Sequence, residues 1–132
     1  MTLIPETHRD LAQNAAVAIL TTLGPDGAPQ TTAVGYLFDD GVFRISVSSD
    51  KQKLKNLQRN PQCSLFLLDV ANVYHTVEVR GAAEVILDED CTWAAKIAES
   101  NGRTADDVRK LTPPGALRYS IAVHPTKINT FG

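Results

Sequence analysis

The residues with the most chemistry in them are nearly consecutive. Ser46-Val47-Ser48-Ser49-Asp50-Lys51-Gln52-Lys53-Leu54-Lys55-Asn56-Leu57 runs on to Arg59, Asn60 and Pro61. Three serine hydroxyls lead into a stretch of lysines that stops at a proline. The pattern predicts a strand end feeding a short basic helix over residues 51–60, with Ser49 or Asp50 as its N-cap. The first backbone N–H groups of a helix have no partner inside it and carry partial positive charge. Hydroxyls, free N–H groups and ammonium groups together suit an anion, and a phosphate best of all. At 100° per residue Leu54 and Leu57 share the inward face. Lys53 borders that face, while Lys51 and Lys55 lie on the other flank. The plainer reading is a solvated amphipathic helix, and the segment alone leaves both open.

A second stretch, Gln30-Thr31-Thr32-Ala33-Val34-Gly35-Tyr36, carries only small residues on one face: Thr31, Ala33 and Gly35. Small side chains let something flat approach a strand backbone. That face suits close packing against a helix or a second subunit, or a ring system lying on the strand.

Elsewhere the chemistry is sparse. His8, His75 and His124 are scattered, and Cys63 and Cys91 lack ligand spacing, so no metal site is expected. There is no Gly-x-Ser-x-Gly elbow, phosphate-binding Walker loop or Gly-x-Gly-x-x-Gly. Asp88, Glu89 and Asp90 read as acids favouring a helix N-terminus. A hydrolase with its own nucleophile is disfavoured, and a cofactor is expected to carry any hard chemistry. Tyr36, Tyr74 and His75 are the candidates for a proton donor; no residue is assigned as catalytic.

Composition sets the frame. The chain has 132 residues, 43% of them apolar, enough for one domain over residues 1–132 with a real core. Thirteen basic against fifteen acidic side chains leave a charge of −2, so the basic surplus of a nucleic-acid binder is missing. No run of about 18 apolar residues suggests a membrane span, and the first residues lack a signal-peptide pattern. With two isolated cysteines the expectation is a reduced, cytoplasmic protein.

Periodicity predicts strands at 16–23, 29–38, 43–48, 63–68, 76–87 and 118–131. Hairpin turns are expected at Gly24-Pro25-Asp26-Gly27 and Asp39-Asp40-Gly41. Residues 63–68 are almost continuously apolar and should be central. Gly81 suggests a bend or bulge, and Pro125 an edge or a break. Helices are expected at 5–14, 88–100 and 104–111. The fold class is therefore mainly β with short helices, six antiparallel strands closing into a barrel or a sandwich.

In this order the residues resemble the pyridoxamine 5′-phosphate oxidase-like superfamily, the flavin-binding split β-barrels. The specific element is Lys53-x-Lys55-Asn56-Leu57-x-x-Asn60-Pro61 followed by Ser64. Leu23 to Gln30, Val34-x-Tyr36-x-Phe38-Asp39 and Val79-x-Gly81-x-Ala83 support it, so the resemblance spans nearly the whole chain. The short length looks most like the F420-dependent branch, the flavin/deazaflavin oxidoreductases of the B type. The resemblance implies a six-stranded antiparallel split β-barrel of Greek-key type and a homodimer with cofactor sites at the subunit interface. It also implies coenzyme F420, a 5-deazaflavin, as hydride donor to an electron-poor unsaturated small molecule; the alternatives are an FMN-binding oxidase or reductase of the pyridoxamine phosphate oxidase type and a non-catalytic flavin or F420 binder. It implies that Lys53 holds the cofactor phosphate, with Lys51, Lys55 and Asn56 on the same element. Ser46, Val47, Ser48 and Ser49 match the strand end beside the cofactor, and Thr32, Ala33 and Val34 the strand under the ring. Ile128-Asn129-Thr130-Phe131-Gly132 lacks the arginine-rich stretch with which true pyridoxamine phosphate oxidases hold substrate, which argues against vitamin B6 oxidation. Lys51 stands where relatives commonly have arginine; it keeps the charge without the bidentate fork.

Overall fold

The computed structural model describes residues 2–14 and 17–132. Its strands are β1 (Val17–Leu23), β2 (Pro29–Val34), β3 (Leu37–Asp39), β4 (Val42–Ser48), β5 (Gln62–Asp69), β6 (Asn72–Leu87) and β7 (Arg118–Phe131). Its helices are α1 (Arg9–Asn14), α2 (Gln52–Arg59), α3 (Thr92–Ser100) and α4 (Ala105–Leu111), with a 3₁₀ turn at Glu6–His8 ahead of α1. Ala16, placed in the first strand by periodicity, lies outside the described residues.

All seven strands form one antiparallel sheet in the order β2-β1-β5-β6-β7-β4-β3. The expectation of six strands is corrected here. The stretch 29–38 is not one strand but two, and they lie at opposite edges of the sheet. The break falls at Gly35 and Tyr36. There the Tyr36 ring turns into the core, its hydroxyl donates to Leu11 O at 2.7 Å, and its carbonyl accepts from Asn101 Nδ2 at 3.1 Å. These bonds to α1 and to Asn101 draw Tyr36 out of line with β2, which ends at Val34. Only two residues separate the edges, so three peptide steps, about 11 Å at most, join them. The sheet therefore curls until its edges approach, yet β2 and β3 share no ladder and the barrel stays split.

Alternation along β4 is as the sequence predicts: Phe43, Ile45 and Val47 are buried in a core shared with Leu20, Leu65, Leu67, Val77, Val79 and Ile121. The Asp40-Gly41 turn has positive φ at both residues, the geometry that favours a two-residue hairpin. β5 is central, but only one of its faces is covered. Leu65 and Leu67 are buried while Phe66 points outward, exposed. Gly81 sits at a register shift in the β6–β7 ladder, where a Cβ would lie 2.5 Å from His124 O, so only glycine fits. Pro125 pairs with Gly81 at this bulge, beyond Val123 where β4 stops pairing with β7. Its missing N–H therefore costs no ladder bond.

The N-terminal segment is tied to the far ends of β6 and β7 through two stacked histidines, rings 4.5 Å apart. His8 Nε2 donates to Phe131 O. His75 meets Asp10 through Nε2 at 3.1 Å and Gly132 O through Nδ1 at 3.2 Å. Both ring nitrogens of His75 face acceptors, an arrangement that only the doubly protonated ring satisfies. Accordingly the bond to Asp10, above all, raises the His75 pKa. A raised folded pKa adds stability that is fully present below the unfolded value of about 6.5 and fades as pH rises through the folded value. The melting-temperature gap between wild type and His75→Gln should thus shrink across that window, and a gap that grows with pH would contradict it.

Candidate functional site

α2 is short, and its placement depends on one side chain. Asn56 is buried. Its Nδ2 donates to Thr22 Oγ1 at 3.0 Å and to Gln30 Oε1 at 3.2 Å, and its Oδ1 accepts from Gln52 Nε2 at 2.9 Å. Leu54 and Leu57 add the apolar contact, both 2% exposed. At the C-terminal end Arg59 donates to Leu23 O. The helix is thereby fixed against β1 and β2, and the cap falls on Lys51 rather than on Ser49 or Asp50. The reason is competition. The Ser49 hydroxyl accepts from Leu117 N and its own N–H donates to Leu117 O, so Ser49 pins the loop before β7 instead.

Fixed this way, α2 presents its three lysines differently. Lys53 is half-buried and donates through Nζ to Thr32 Oγ1 on β2 at 3.2 Å. Burial, and then the neighbouring Lys51 charge, pull its pKa below that of an ordinary lysine. Lys51 and Lys55 are exposed, and Lys51 meets only Asp50 at 3.6 Å. Among the described residues no carboxylate pairs with Lys53, so a partly dehydrated cation is held by a neutral hydroxyl. An anion reaching it would restore what burial removed.

The topology shows what Lys53 borders. β2 pairs only with β1, leaving its other edge free. In β4 only Val42, Phe43 and Arg44 pair with β3, so one edge of residues 45–48 is also free. The split of the barrel runs between these edges, and Thr32, Ala33 and Val34 lie on one side with Ser46, Val47 and Ser48 on the other. Ala33, Val34 and Ser46 line one cavity of about 510 Å³, together with Gly35 and Arg118. Val47 faces the core, so only its backbone can serve the gap. The Ser48 hydroxyl is buried next to the Asp50 carboxylate, whose pKa it lowers. Asn56, placed on the cofactor by resemblance, spends its amide inside the protein; it holds the helix that carries Lys53.

The cavity is roofed by α3 and α4, which the sequence did not connect to the site. Asp88 accepts from Trp93 N and Ala94 N and so caps α3. The Arg44 guanidinium lies 4.1 Å from the Trp93 ring centroid and joins α3 to β4. Thr104 and Asp107 form a capping box on α4. Arg118 at the start of β7 donates through Nε to Thr112 Oγ1 at 2.8 Å and through Nη1 to Ser46 Oγ at 3.4 Å. Arg118 and Arg103 are the residues missed in the sequence. Nothing local marks them: Arg103 meets the site through the packing of the two helices, and Arg118 through the pairing of β7 with β4.

The three proton-donor candidates do not line this cavity. The Tyr36 hydroxyl is engaged by Leu11 O, Tyr74 is exposed at the β5–β6 hairpin, and His75 is held by Asp10 and Gly132. Burial pushes the Cys63 thiol up to about 11, far from a reactive thiolate. Among the described residues no group of three or more His, Cys, Asp or Glu side chains could hold a metal, and no helix is long and apolar enough to cross a membrane.

Comparison with known proteins agrees with this arrangement. An F420 reductase superposes with a TM-score of 0.82 at 29% identity, over 96% of this chain and 98% of its own. A conserved hypothetical protein of Mycobacterium tuberculosis gives 0.76 at 22% identity, over 98% and 86%. The HupZ protein of Group A Streptococcus gives 0.72 at 21% identity, over 97% and 94%. The family model of pyridoxamine 5′-phosphate oxidase matches residues 4–131, and with the split sheet, α2 and its lysines in place, the chain belongs to that family.

Proposed function

We propose that this protein is an oxidoreductase that binds F420 in preference to FMN and reduces an electron-poor unsaturated small molecule. The observation that carries the reading is Lys53, a half-buried cation with a hydroxyl for its only partner among the described residues, beside a gap between two strand edges unpaired among those residues. The 29% identity to an F420 reductase over almost the whole chain supports the deazaflavin over the flavin. Lys53 would hold the phosphate. The free backbone groups of β2 and of residues 45–48 would meet the polar edge of the ring, and Ala33 and Gly35 leave room for its face. When bound, reduced deazaflavin supplies the hydride. The protein's part is to orient both molecules and keep water out of the gap.

F420 carries a phosphodiester and a glutamate tail, so it brings more negative charge than FMN to Lys51, Lys53, Lys55 and Arg59. Calorimetric titration should therefore give a lower Kd for F420. That Kd should rise with salt, because exposed charges are screened over about 8–10 Å at 0.1–0.15 M ionic strength. Tighter FMN binding would reverse the cofactor assignment.

The same reading makes the protein a homodimer. Ala33, Ile19 and Phe66 lie side by side across β2, β1 and β5 in register, facing away from the core. An apolar row across three strands with no cover of its own suits a second subunit. Light scattering at micromolar concentration should give twice the chain mass, and Phe66→Asp should shift it toward the monomer. A wild-type monomer that still binds cofactor would remove the dimer from the proposal.

A further inference from the structure

The cavity under α3 and α4 has a composition that the cofactor reading does not use. Its apolar wall comes from Ala94, Ile97, Ala98, Val108 and Leu111, polar surface makes up about as much of the lining, and its charged lining residues are Arg118 and Arg103. No carboxylate lines it. Asp88 caps α3, Asp106 meets Arg109 and Lys110, Asp107 is bound at the N-cap of α4, and Glu99 of α3 is not among the lining residues. Among the described residues neither Arg118 nor Arg103 has an ion-pair partner. Arg118 spends Nε on Thr112 and one Nη1 hydrogen on Ser46, which leaves three of its five N–H groups. Those two bonds also fix the plane of the guanidinium. Burial depresses the Arg118 pKa, against a smaller opposing pull from Cys91, Asp50 and Asp88. At about 510 Å³ the space is that of a small-molecule pocket.

We propose that this cavity binds a molecule with an apolar body and a carboxylate, the carboxylate lying on the guanidinium of Arg118, with Arg103 flanking the more exposed side. The proposal rests on the oxidoreductase reading only in naming that molecule as the substrate. The ring strand and the cavity share Ala33 and Val34, so an acid bound there lies beside the proposed hydride donor. A carboxylate could also come from the glutamate tail of F420, and the test separates the two sources.

The probes are 4-(1-pyrenyl)butyrate and its carboxamide, equal in shape and different in charge, followed by fluorescence anisotropy on cofactor-free protein. The acid should bind about tenfold or more tightly than the amide, the worth of a charge-assisted hydrogen bond. Arg118→Gln should erase that preference. Arg118→Lys should keep part of it, since charge survives without the fork, and Arg103→Gln should reduce it less. Should the glutamine variant fail to fold, as its melting curve would show, the Arg118→Lys and Arg103→Gln comparison carries the test. Saturating F420 should leave the acid bound. Equal binding of acid and amide, a preference that survives Arg118→Gln, or displacement of the acid but not the amide by F420 would overturn the proposal. Retained acid preference with no binding of F420 or FMN would uphold the subsite and defeat the redox reading instead.

Discussion

Lys53→Ala is expected to weaken cofactor binding by roughly tenfold to a hundredfold, while Lys51→Ala and Lys55→Ala cost about fivefold or less. The difference comes from placement, since all three residues are lysines on one turn and a half of helix. Lys53 is half-buried against β2 and its ammonium is already oriented by Thr32 Oγ1. A charge-assisted bond from such a group to a phosphate is worth about 1.5–3 kcal/mol. Lys51 and Lys55 stand in solvent, where a loosely held ion pair gives about 0–1 kcal/mol. None of the three contributes core volume, so the melting temperature should stay within a few degrees. The checks are a dissociation constant and a melting curve for each variant. Equal small losses would reduce α2 to a solvated face and remove the physical basis of the phosphate site.

The direction of the Lys53 shift adds a second reading of the same site. Its pKa is lowered, first by burial and then by Lys51. A lysine with a lowered folded pKa binds fewer protons when folded than when unfolded, over the window between the two values. Stability therefore rises with pH through that window, up to the unfolded value near 10.4. Below the window the buried charge is a net cost to the fold. A bound phosphate favours the charged form and offsets that cost, so cofactor affinity should fall as alkaline pH discharges Lys53.

What could be read from the sequence follows from how local the causes were. The alternation of Phe43, Ile45 and Val47, the Asp40-Gly41 turn and the inward face of Leu54 and Leu57 are set by neighbours a few residues away, and each is expected from the sequence; the bulge at Gly81 is set across the ladder by His124 O, and the glycine itself marks it. The inward lean of Lys53 followed from the helical step alone. The split of residues 29–38 into β2 and β3 was not visible, because its causes are Leu11 O and Asn101, 25 and 65 residues away, holding Tyr36. The cap on Lys51 depends in the same way on Leu117 drawing Ser49 off. Arg103 escaped notice because its place in the cavity depends on the packing of α3 and α4, and Arg118 because it depends on the pairing of β7 with β4. The almost continuously apolar run of 63–68 points to a central strand, and β5 lies inside the sheet. The single chain covers one of its faces, and Phe66 leaves the other for the subunit contact proposed above.

Asn56 sits in the family-like motif beside Lys53 and Lys55, yet the geometry separates its task from theirs. Asn56→Ala should lower stability by about 2–4 kcal/mol. Two donor bonds disappear, the acceptors on Thr22 and Gln30 lose their partner, and each buried polar group left unsatisfied costs about 1–3 kcal/mol. The hydroxyl of Thr22 can turn to another acceptor and Gln30 is only half-buried, which keeps the total below the sum of its parts. α2 would then be held by Leu54, Leu57 and Arg59 alone, and Lys53 would lose its fixed distance from Thr32. The variant should lose both melting temperature and cofactor affinity, whereas Lys53→Ala loses affinity alone. Asn56→Asp keeps the volume but replaces the donor with a second acceptor in a buried place, so it should be no better than alanine. Urea unfolding set beside cofactor titration distinguishes the cases. An Asn56→Ala protein of unchanged stability but lost affinity would mean that the amide touches the cofactor after all, and that the bonds to Thr22 and Gln30 give way when the phosphate arrives.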